Sequence, residues 1–216
     1  LKNPVVGTIF KGTWEQVFIG AVAKDANKPL QNRTVADVAA EQSADPMDVM
    51  FDLALDENLE TAFLGKFLNV GDEGVGELLK HEHGVVSLSD AGAHLIYMCD
   101  AGYGLHLLGK WVRELGVFSL QEGVRRLTSH PADLYGIQGR GRLTPGSHAD
   151  MVMFDPAAID IGDPERVPDL PGGGPRTIRK PRGIHGVWIN GAHVFDGEDY
   201  VKHAKGPGHV LRDFAA

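Results

Sequence analysis

The sequence predicts an α/β protein in which strands and helices alternate up to about residue 138 and an all-β segment follows. Two observations support this prediction. Over the first part, apolar residues at helical spacing alternate with stretches rich in β-branched residues. From residue 139, short β-prone runs separated by glycine and proline replace that pattern. Alternating strands and helices favour parallel β/α units, and the later runs favour a small β-sandwich, so we divide the chain into residues 1–138 and 139–216.

The first part opens with a predicted strand, "WEQVFIGAVA" at residues 14–23, which is rich in aromatic and β-branched residues. Thr34 with Asp37 resembles a capping box, so a short helix begins there. Asp45-Pro46 predicts a second helix, with an aspartate N-cap and proline at the first helical position. A further short helix, "DEGVGELLKHEHG", follows.

Three more helices complete the first part. "GLHLLGKWVRELGV" predicts a helix that Gly116 closes. The residues on its apolar face are Leu105, Leu108, Trp111, Val112 and Leu115. Ser119 with Glu122 forms a second capping box. Pro131 starts a final turn that Gly136 stops.

The second part is predicted to contain short strands joined by turns. The β-prone runs are "GRLTP", "DMVMFD", "HGVWIN" and "AHVFDG". Asn190-Gly191 between the last two is a strong signal for a two-residue hairpin. Residues 160–182 contain so many prolines and glycines that they predict an irregular surface excursion.

Composition excludes several classes of protein. Lys and Arg total 21 against 29 Asp and Glu, a net charge of −8, so we expect no nucleic-acid partner. The single cysteine, Cys99, excludes an intramolecular disulfide framework and a cysteine zinc cluster, and it fits a reducing cytoplasm. We also expect no membrane partner, because no apolar run approaches the ~20 residues of a membrane span. The N-terminus lacks the pattern of a signal peptide.

The stretch "HEHGVVSLSDAGAH", residues 81–94, places a carboxylate at the end of a short apolar run. If this run is a strand, Val86, Leu88 and Asp90 share one face, because side chains alternate along a strand. Ligands collect at the carboxyl ends of parallel strands, where Asp90 can bind a metal or take a proton from metal-bound water. The alternative is that the Ser-Asp pair before Ala-Gly begins a turn. Spacing by itself slightly favours the turn.

Histidines lie on both sides of this run. His81 and His83 precede it, roughly 20 Å from Asp90 at ~3.3 Å per residue, so they cannot share one ion with it. They predict a solvated helix end instead, where histidines suit the helix dipole. His94 follows Asp90 by four residues on the same loop and can reach a substrate, and the alternative is a solvated loop histidine.

Three stretches carry a resemblance to a known family. They read "VVSLSDAGAH", "TSHPADLYGIQGRGRLTPGSHADMVMFDP" and "GIHGVWINGAHVFDG". Together they resemble the C-terminal half of an amidohydrolase, and the nearest subgroup is the N-acyl-D-amino-acid deacylases, or D-aminoacylases. The most specific match is residues 128–155. The resemblance implies the C-terminal part of a metal-dependent (β/α)8 barrel followed by a segment of a composite β-sandwich.

The resemblance also implies roles for particular residues. Asp90 corresponds to the aspartate after the eighth barrel strand, which contacts metal and acts as general base and then general acid. The implied cofactor is zinc or another divalent metal, and its remaining ligands should lie upstream of residue 1. His94 is a candidate substrate contact. The subgroup binds the substrate carboxylate with the arginine of a His-Pro-Arg sequence, and residues 97–100 contain no arginine.

Two hypotheses of function follow. In the first, the protein is a metal-dependent hydrolase that cleaves a C–N bond of a small-molecule amide, an N-acyl amino acid, with Asp90 as the catalytic base. In the second, the chain is a non-catalytic module for assembly or binding, because zinc sites use three or four protein ligands and one carboxylate is too few.

The length of the chain adds an expectation about the whole protein. The chain lacks an initial methionine, and a complete barrel takes ~250 residues, so we expect a fragment of a protein of roughly 450–600 residues. By itself, the fragment should bind no catalytic metal and lack hydrolase activity. It should associate into homo-oligomers through its exposed apolar strand face.

Overall fold

A computed structural model describes residues 10, 12–93, 95–96, 98–212 and 214 of the chain. The chain divides into two compact units, Leu1–Val75 and Gly76–Ala216. In the described ranges the α-helices are α1 (Val35–Gln42), α2 (Pro46–Asp56), α3 (Asp72–Lys80), α4 (Tyr103–His106), α5 (Leu120–Leu127) and α6 (Ser129–Leu134). The strands are β1 (Val17–Ala21), β2 (Ala62–Gly65), β3 (Met151–Phe154), β4 (Asp160–Val167), β5 (Arg176–Arg182), β6 (Ile184–Ile189) and β7 (Ala192–Phe195). Among the described helices, none combines the length and apolar character needed to cross a bilayer.

The first unit contains an antiparallel pair of strands, β1 and β2, with Phe18 opposite Leu64. The predicted strand at residues 14–23 is confirmed as β1, although Trp14–Gln16 forms a 3-10 turn before it. Sequence analysis missed β2, because this short and largely exposed strand is defined by its pairing. The core of this unit is built from β1, α1 and α2 by the buried side chains Val17, Ile19, Val35, Val38, Ala39, Val49 and Leu53.

Both predicted helix starts in the first unit are confirmed. The Thr34 hydroxyl accepts a hydrogen bond from the Asp37 backbone N–H at 3.0 Å, and α1 begins at the next residue. The Asp45 carboxylate accepts from the Met47 N–H at 2.9 Å, and Pro46 is the first residue of α2. These caps satisfy N–H groups that have no partner inside the helix.

Glu57 is a buried carboxylate of the first unit, 1% exposed. It accepts hydrogen bonds from the Ala23 and Lys24 backbone N–H groups at 2.8 and 3.0 Å, from Asn27 at 2.9 Å and from Thr61 at 3.1 Å. Burial acts to raise the pKa of Glu57, but these hydrogen bonds outweigh it and hold the pKa below its ordinary value. Glu57 therefore joins the end of α2 to the loop after β1 as an ionised structural residue.

The helices of the second unit follow the predicted order with one change of geometry. The Ser119 hydroxyl accepts from the Glu122 N–H at 3.2 Å and caps α5, as predicted. Gly116, at φ +59°, follows the preceding helix, also as predicted. That helix is not α-helical throughout, because α4 continues into a π-helical segment at Leu107–Glu114. Apolar spacing near 3.6 residues does not distinguish this wider i→i+5 bonding from an α-helix.

The β-rich part of the second unit contains a three-stranded antiparallel sheet in the order β3-β6-β7. Asn190 and Gly191, at φ +49° and +80°, connect β6 to β7, so the predicted two-residue hairpin is confirmed. The predicted irregular excursion at 160–182 is wrong, because β4 and β5 pair there as an antiparallel ribbon. Its prolines are tolerated because Pro164 directly follows a shift of register and Pro181 lies near the end of β5. The predicted strand "GRLTP" is also wrong, since these residues are irregular.

The core of the second unit joins its helices to its sheet. Leu108 of the π-helical segment is buried together with Ile159 and Ile184, which are 1% and 9% exposed. Gly183 connects β5 to β6 at φ +70°, and a Cβ atom there would lie 2.6 Å from the Ile159 backbone nitrogen. Glycine is required at this position because it adopts positive φ without strain and leaves room for that backbone.

The structure confirms a mixed α/β fold but contains no barrel in the part of the chain that it describes. Every pairing of named strands within the described ranges is antiparallel, so the prediction of parallel β/α units is wrong there. The predicted strand at residues 84–90 has no regular secondary structure. Extended backbone becomes a strand when a neighbour bonds to its N–H and C=O groups, and no described strand pairs with this segment. The domain boundary between residues 138 and 139 stays a prediction.

Candidate functional site

Asp90 lies on an exposed turn. Its backbone carbonyl accepts a hydrogen bond from the Ala93 N–H at 3.0 Å, which closes the turn. The Ser89 hydroxyl accepts from the Ala91 N–H at 3.4 Å. These contacts match the turn interpretation of the Ser-Asp pair, and they leave the Asp90 residue in a solvent-accessible position. The catalytic and metal-binding roles of Asp90 stay predictions.

The segment that leads to Asp90 runs through residues 84–90. Val86 is half-buried, whereas Leu88 is 88% exposed. Sequence analysis predicted that Leu88 and Asp90 share one face, and both residues are exposed. A large apolar side chain therefore faces solvent two residues before the candidate catalytic residue.

A buried arginine fixes the start of this segment. Arg126 of α5 is 5% exposed. Its Nη1 donates to the carbonyl oxygens of Gly84 and His81 at 3.2 and 2.9 Å, and its Nη2 donates to that of Lys80 at 2.9 Å. Lys80 is the last residue of α3, so the guanidinium binds the end of that helix and the first residue of the segment. We call Arg126, these three carbonyl groups and its partner Glu122 the Arg126 cluster.

Glu122 supplies the negative charge of the Arg126 cluster. Its Oε1 accepts from Arg126 Nε at 2.8 Å, and both of its oxygens accept from Arg125, at 2.7 and 2.9 Å. The hydrogen bonds from Arg125 and then from Arg126 lower the pKa of Glu122 from 4.5 to about 2. The carboxylate therefore stays ionised at any physiological pH, and the charge of the buried guanidinium stays compensated.

The chain beyond Asp90 is fixed by β5. The Leu95 carbonyl oxygen accepts a hydrogen bond from the Thr177 backbone N–H at 2.6 Å. Thr177 is 8% exposed, so this hydrogen bond lies in a protected place. Asp90 thus lies between two fixed points, six residues after Gly84 and five residues before Leu95.

The structure separates the histidines predicted near this site. His94 lies outside the described residues, and its role as a substrate contact stays a prediction. His81 and His83 are exposed in the turn after α3, with ring centroids 5.5 Å apart. The His83 backbone N–H donates to His81 Nδ1 at 3.3 Å. The prediction that this pair belongs to a solvated helix end is confirmed.

The described residues do not fit a zinc ion. Among them, no group of three or more His, Cys, Asp or Glu side chains is arranged to hold a metal. Protein zinc sites use three or four such ligands, and Asp90 supplies one. A complete site would require further ligands from other parts of the protein, so we derive no chemical step through a metal.

Sequence analysis missed Arg126 and Thr177. The sequence contained one relevant signal, because Glu122 and Arg126 are spaced i,i+4 on a helix and this spacing predicts an ion pair. The pattern did not reveal that Arg126 is buried and Arg125 exposed, since only the packing of α5 against the end of α3 decides which of the two neighbours points inward.

The sequence matches a family model over most of its length. A sequence model of the amidohydrolase family matches residues 19–195. The N-acyl-D-aspartate deacylase of Alcaligenes xylosoxydans xylosoxydans is 28% identical over 199 residues, which cover 92% of this chain and 35% of that protein. The D-aminoacylase of the same organism is 36% identical over 112 residues, covering 51% of this chain and 20% of that protein. The chain thus spans about a third or less of the length of these relatives.

Solved structures were also found. A crystal structure of D-aminoacylase superimposes with a TM-score of 0.49 at 25% identity, covering 87% of this chain and 36% of that one. The N-acyl-D-glutamate deacylase from Bordetella bronchiseptica, solved in complex with zinc and a phosphonate inhibitor, superimposes with a TM-score of 0.46 at 26% identity. That match covers 86% of this chain and 36% of the other.

Proposed function

The chain belongs to the amidohydrolase family, and from this premise we propose that it forms part of a hydrolase that cleaves a C–N bond of a small-molecule amide. The substrate class is an N-acyl-D-amino acid. The observation that supports this class most directly is the similarity to an N-acyl-D-aspartate deacylase over 92% of the chain. The family match includes Asp90 and the turn that carries it.

Asp90 is the proposed catalytic residue. Amide hydrolysis requires a proton to leave the attacking water and a proton to reach the leaving nitrogen as the C–N bond breaks. A carboxylate can perform both transfers in turn, first as general base and then as general acid. Asp90 suits this role because it is exposed on a turn whose two sides are held by hydrogen bonds at Gly84 and Leu95.

Zinc, or another divalent metal, is the proposed cofactor of the complete enzyme. The described residues offer Asp90 as one candidate ligand, and at least two others must come from elsewhere. When bound, such a metal would polarise the amide carbonyl and acidify water. A cytoplasmic location of the enzyme is likewise a proposal.

Replacing Asp90 tests the proposed function. In the full-length hydrolase, Asp90→Asn should lower kcat by roughly a hundredfold to ten-thousandfold, the contribution typical of a general acid–base residue. The urea midpoint should not change, because Asp90 is exposed. Asp100→Asn is the matched control, since Asp100 is another exposed aspartate ten residues further along the chain. This variant should retain activity. Near-wild-type turnover in Asp90→Asn would rule out the proposed catalytic role.

The alternative function is a non-catalytic module for assembly or binding. It is favoured by the shortage of metal ligands among the described residues and by Leu88, which is 88% exposed. Metal analysis and native mass spectrometry of the purified 216-residue chain, 23.3 kDa, test the module. We expect self-association without stoichiometric zinc for the chain by itself. One zinc ion per monomeric chain, together with amide hydrolysis, would exclude the module.

A further inference from the structure

We infer that Arg126 is the positioning residue for Asp90, and that it holds the segment that carries the carboxylate where the reaction requires it. This inference rests on the proposed function, in which Asp90 transfers the proton. Arg126 is 36 residues from Asp90 in the sequence, and its guanidinium binds the segment at Gly84, not at the carboxylate itself.

The Arg126 cluster is built for a guanidinium group. An arginine side chain has five N–H donors in a fixed plane, and here one goes to Glu122 and three go to the carbonyls of Lys80, His81 and Gly84. The ring of Phe118, itself 8% exposed, lies 5.5 Å from the centre of the guanidinium. A lysine ammonium has three donors around one point, so it cannot reach the same set of acceptors.

The carbonyl groups bound by Arg126 need a partner. The last carbonyl groups of a helix accept no hydrogen bond from N–H groups of the same helix, and the C-terminal end of the helix dipole favours a positive charge. Lys80 and His81 stand at this end of α3, where Arg126 supplies the positive charge, binds the Lys80 carbonyl and shares the His81 carbonyl with the Gly84 N–H. Gly84 is different, since it lies beyond the helix at the start of the segment to Asp90. This third hydrogen bond couples α5 to the candidate site.

The segment depends on this hydrogen bond because it has no strand partner among the described residues. A strand is held by a hydrogen bond at nearly every second residue, whereas this segment is held at its ends. The Gly84 carbonyl is bound by Arg126, the Gly84 N–H donates at 3.0 Å to the His81 carbonyl that Arg126 also binds, and Leu95 is fixed by Thr177. Loss of the hydrogen bond at Gly84 would let the backbone before Asp90 move more freely. A displacement of about 1 Å at a catalytic group can lower the rate about a hundredfold.

Arg125 provides a matched control. It is the adjacent residue on α5 and shares the partner Glu122, but its side chain is 47% exposed and, among the described residues, its side-chain hydrogen bonds go to that carboxylate. Arg125→Lys and Arg126→Lys are the same chemical change on the same helix. They differ in whether the carbonyl groups of Lys80, His81 and Gly84 lose the guanidinium group.

The first measurement follows the position of the segment directly in the 216-residue chain. Nitroxide labels are placed by Ser87→Cys and Gln121→Cys, two exposed positions, in a Cys99→Ser background. The labelled chain is diluted with unlabelled chain so that labels in different copies do not contribute, and the distance distribution is measured by pulsed electron paramagnetic resonance. Arg126→Lys should broaden this distribution, and Arg125→Lys should leave it unchanged. Arg126→Met, tested for an intact circular dichroism spectrum, should broaden it further. Equal widths in all four proteins would overturn the inference.

The second measurement tests whether Arg126 acts through Asp90. In the full-length hydrolase, Arg126→Lys should lower kcat by roughly tenfold to a hundredfold, because the carboxylate that transfers the proton is displaced. In an Asp90→Asn background, Arg126→Lys should not lower kcat further, because its effect depends on the Asp90 carboxylate. An equal loss in both backgrounds would overturn the inference. If instead Asp90→Asn is fully active, the proposed function fails, while the label distances still decide whether Arg126 fixes the segment.

Discussion

Residues 85–88 and residues 187–189 are short apolar runs of the second unit with similar composition, Val-Val-Ser-Leu and Val-Trp-Ile. The second run lies in β6 and is paired on one side with β3 and on the other with β7. The first run has no strand partner in the described ranges, and its Leu88 is 88% exposed. The difference shows that β-prone composition becomes a strand only where neighbouring backbone is available to bond with it.

The same comparison explains where stability resides. Ile159, beside β6, is 1% exposed and packs in a core that joins helices to the sheet. The segment to Asp90 contributes little apolar burial and is held by a few polar contacts at its ends. Regions with few buried apolar contacts open most easily, so we expect the Asp90 segment to be the less stable of the two.

The largest expected effect comes from removing buried volume beside the sheet. Ile159→Ala should lower the free energy of unfolding by about 3 to 5 kcal/mol, because it removes buried methyl groups and leaves a cavity. Leu88→Ala removes a similar volume at an exposed position and should change the free energy by less than about 0.5 kcal/mol. Urea unfolding followed by circular dichroism measures both. A comparable loss in Leu88→Ala would mean that this side chain is covered in solution.

The second effect concerns the glycine that leads into β6. Gly183→Ala should cost about 2 to 4 kcal/mol, because it combines strain at φ +70° with a Cβ 2.6 Å from the Ile159 nitrogen. Gly172→Ala is the control, since Gly172 has φ +76° and nothing within 4 Å of the added Cβ. The control should lower the free energy of unfolding by about 1 kcal/mol, because it introduces the backbone strain without the close contact. Equal urea midpoints for the two variants would show that the backbone near Ile159 yields to the added methyl group.

The smallest effect is a pH dependence of the Arg126 cluster. The pKa of Glu122 is about 2, below its ordinary 4.5, because Arg125 and Arg126 hydrogen-bond to the ionised carboxylate. A lowered pKa contributes stability that is fully present above the unfolded value and is lost as the pH falls from about 4.5 to about 2. The urea midpoint of the wild type should therefore fall more steeply across this window than that of Glu122→Gln. Both proteins keep the other carboxylates whose pKa is lowered, such as Asp133 and Asp150. If the urea midpoints of the two proteins fall in parallel with pH, Glu122 does not contribute to the pH dependence of stability.

Much of the local structure could be predicted from the sequence. Thr34, Asp45 and Ser119 cap helices as their spacing indicated, and Asn190-Gly191 forms the predicted hairpin turn. These features depend on hydrogen bonds or dihedral angles within about three residues, so the information lies in the residues themselves. The family resemblance was equally local, since it rested on a few contiguous motifs, and the match at residues 19–195 confirms it.

The tertiary structure decided what depends on distant partners. The prolines and glycines of residues 160–182 favoured an irregular loop, yet β4 and β5 pair there because their register places the prolines where they interrupt little. The apolar run before Asp90 favoured a strand and remained unpaired. Arg125 and Arg126 are indistinguishable in composition, and the packing of α5 buries the second against the carbonyls of Lys80, His81 and Gly84. A residue's own chemistry sets which bonds it can make, but whether an acceptor or a neighbouring strand is within reach is fixed by chain segments tens of residues away.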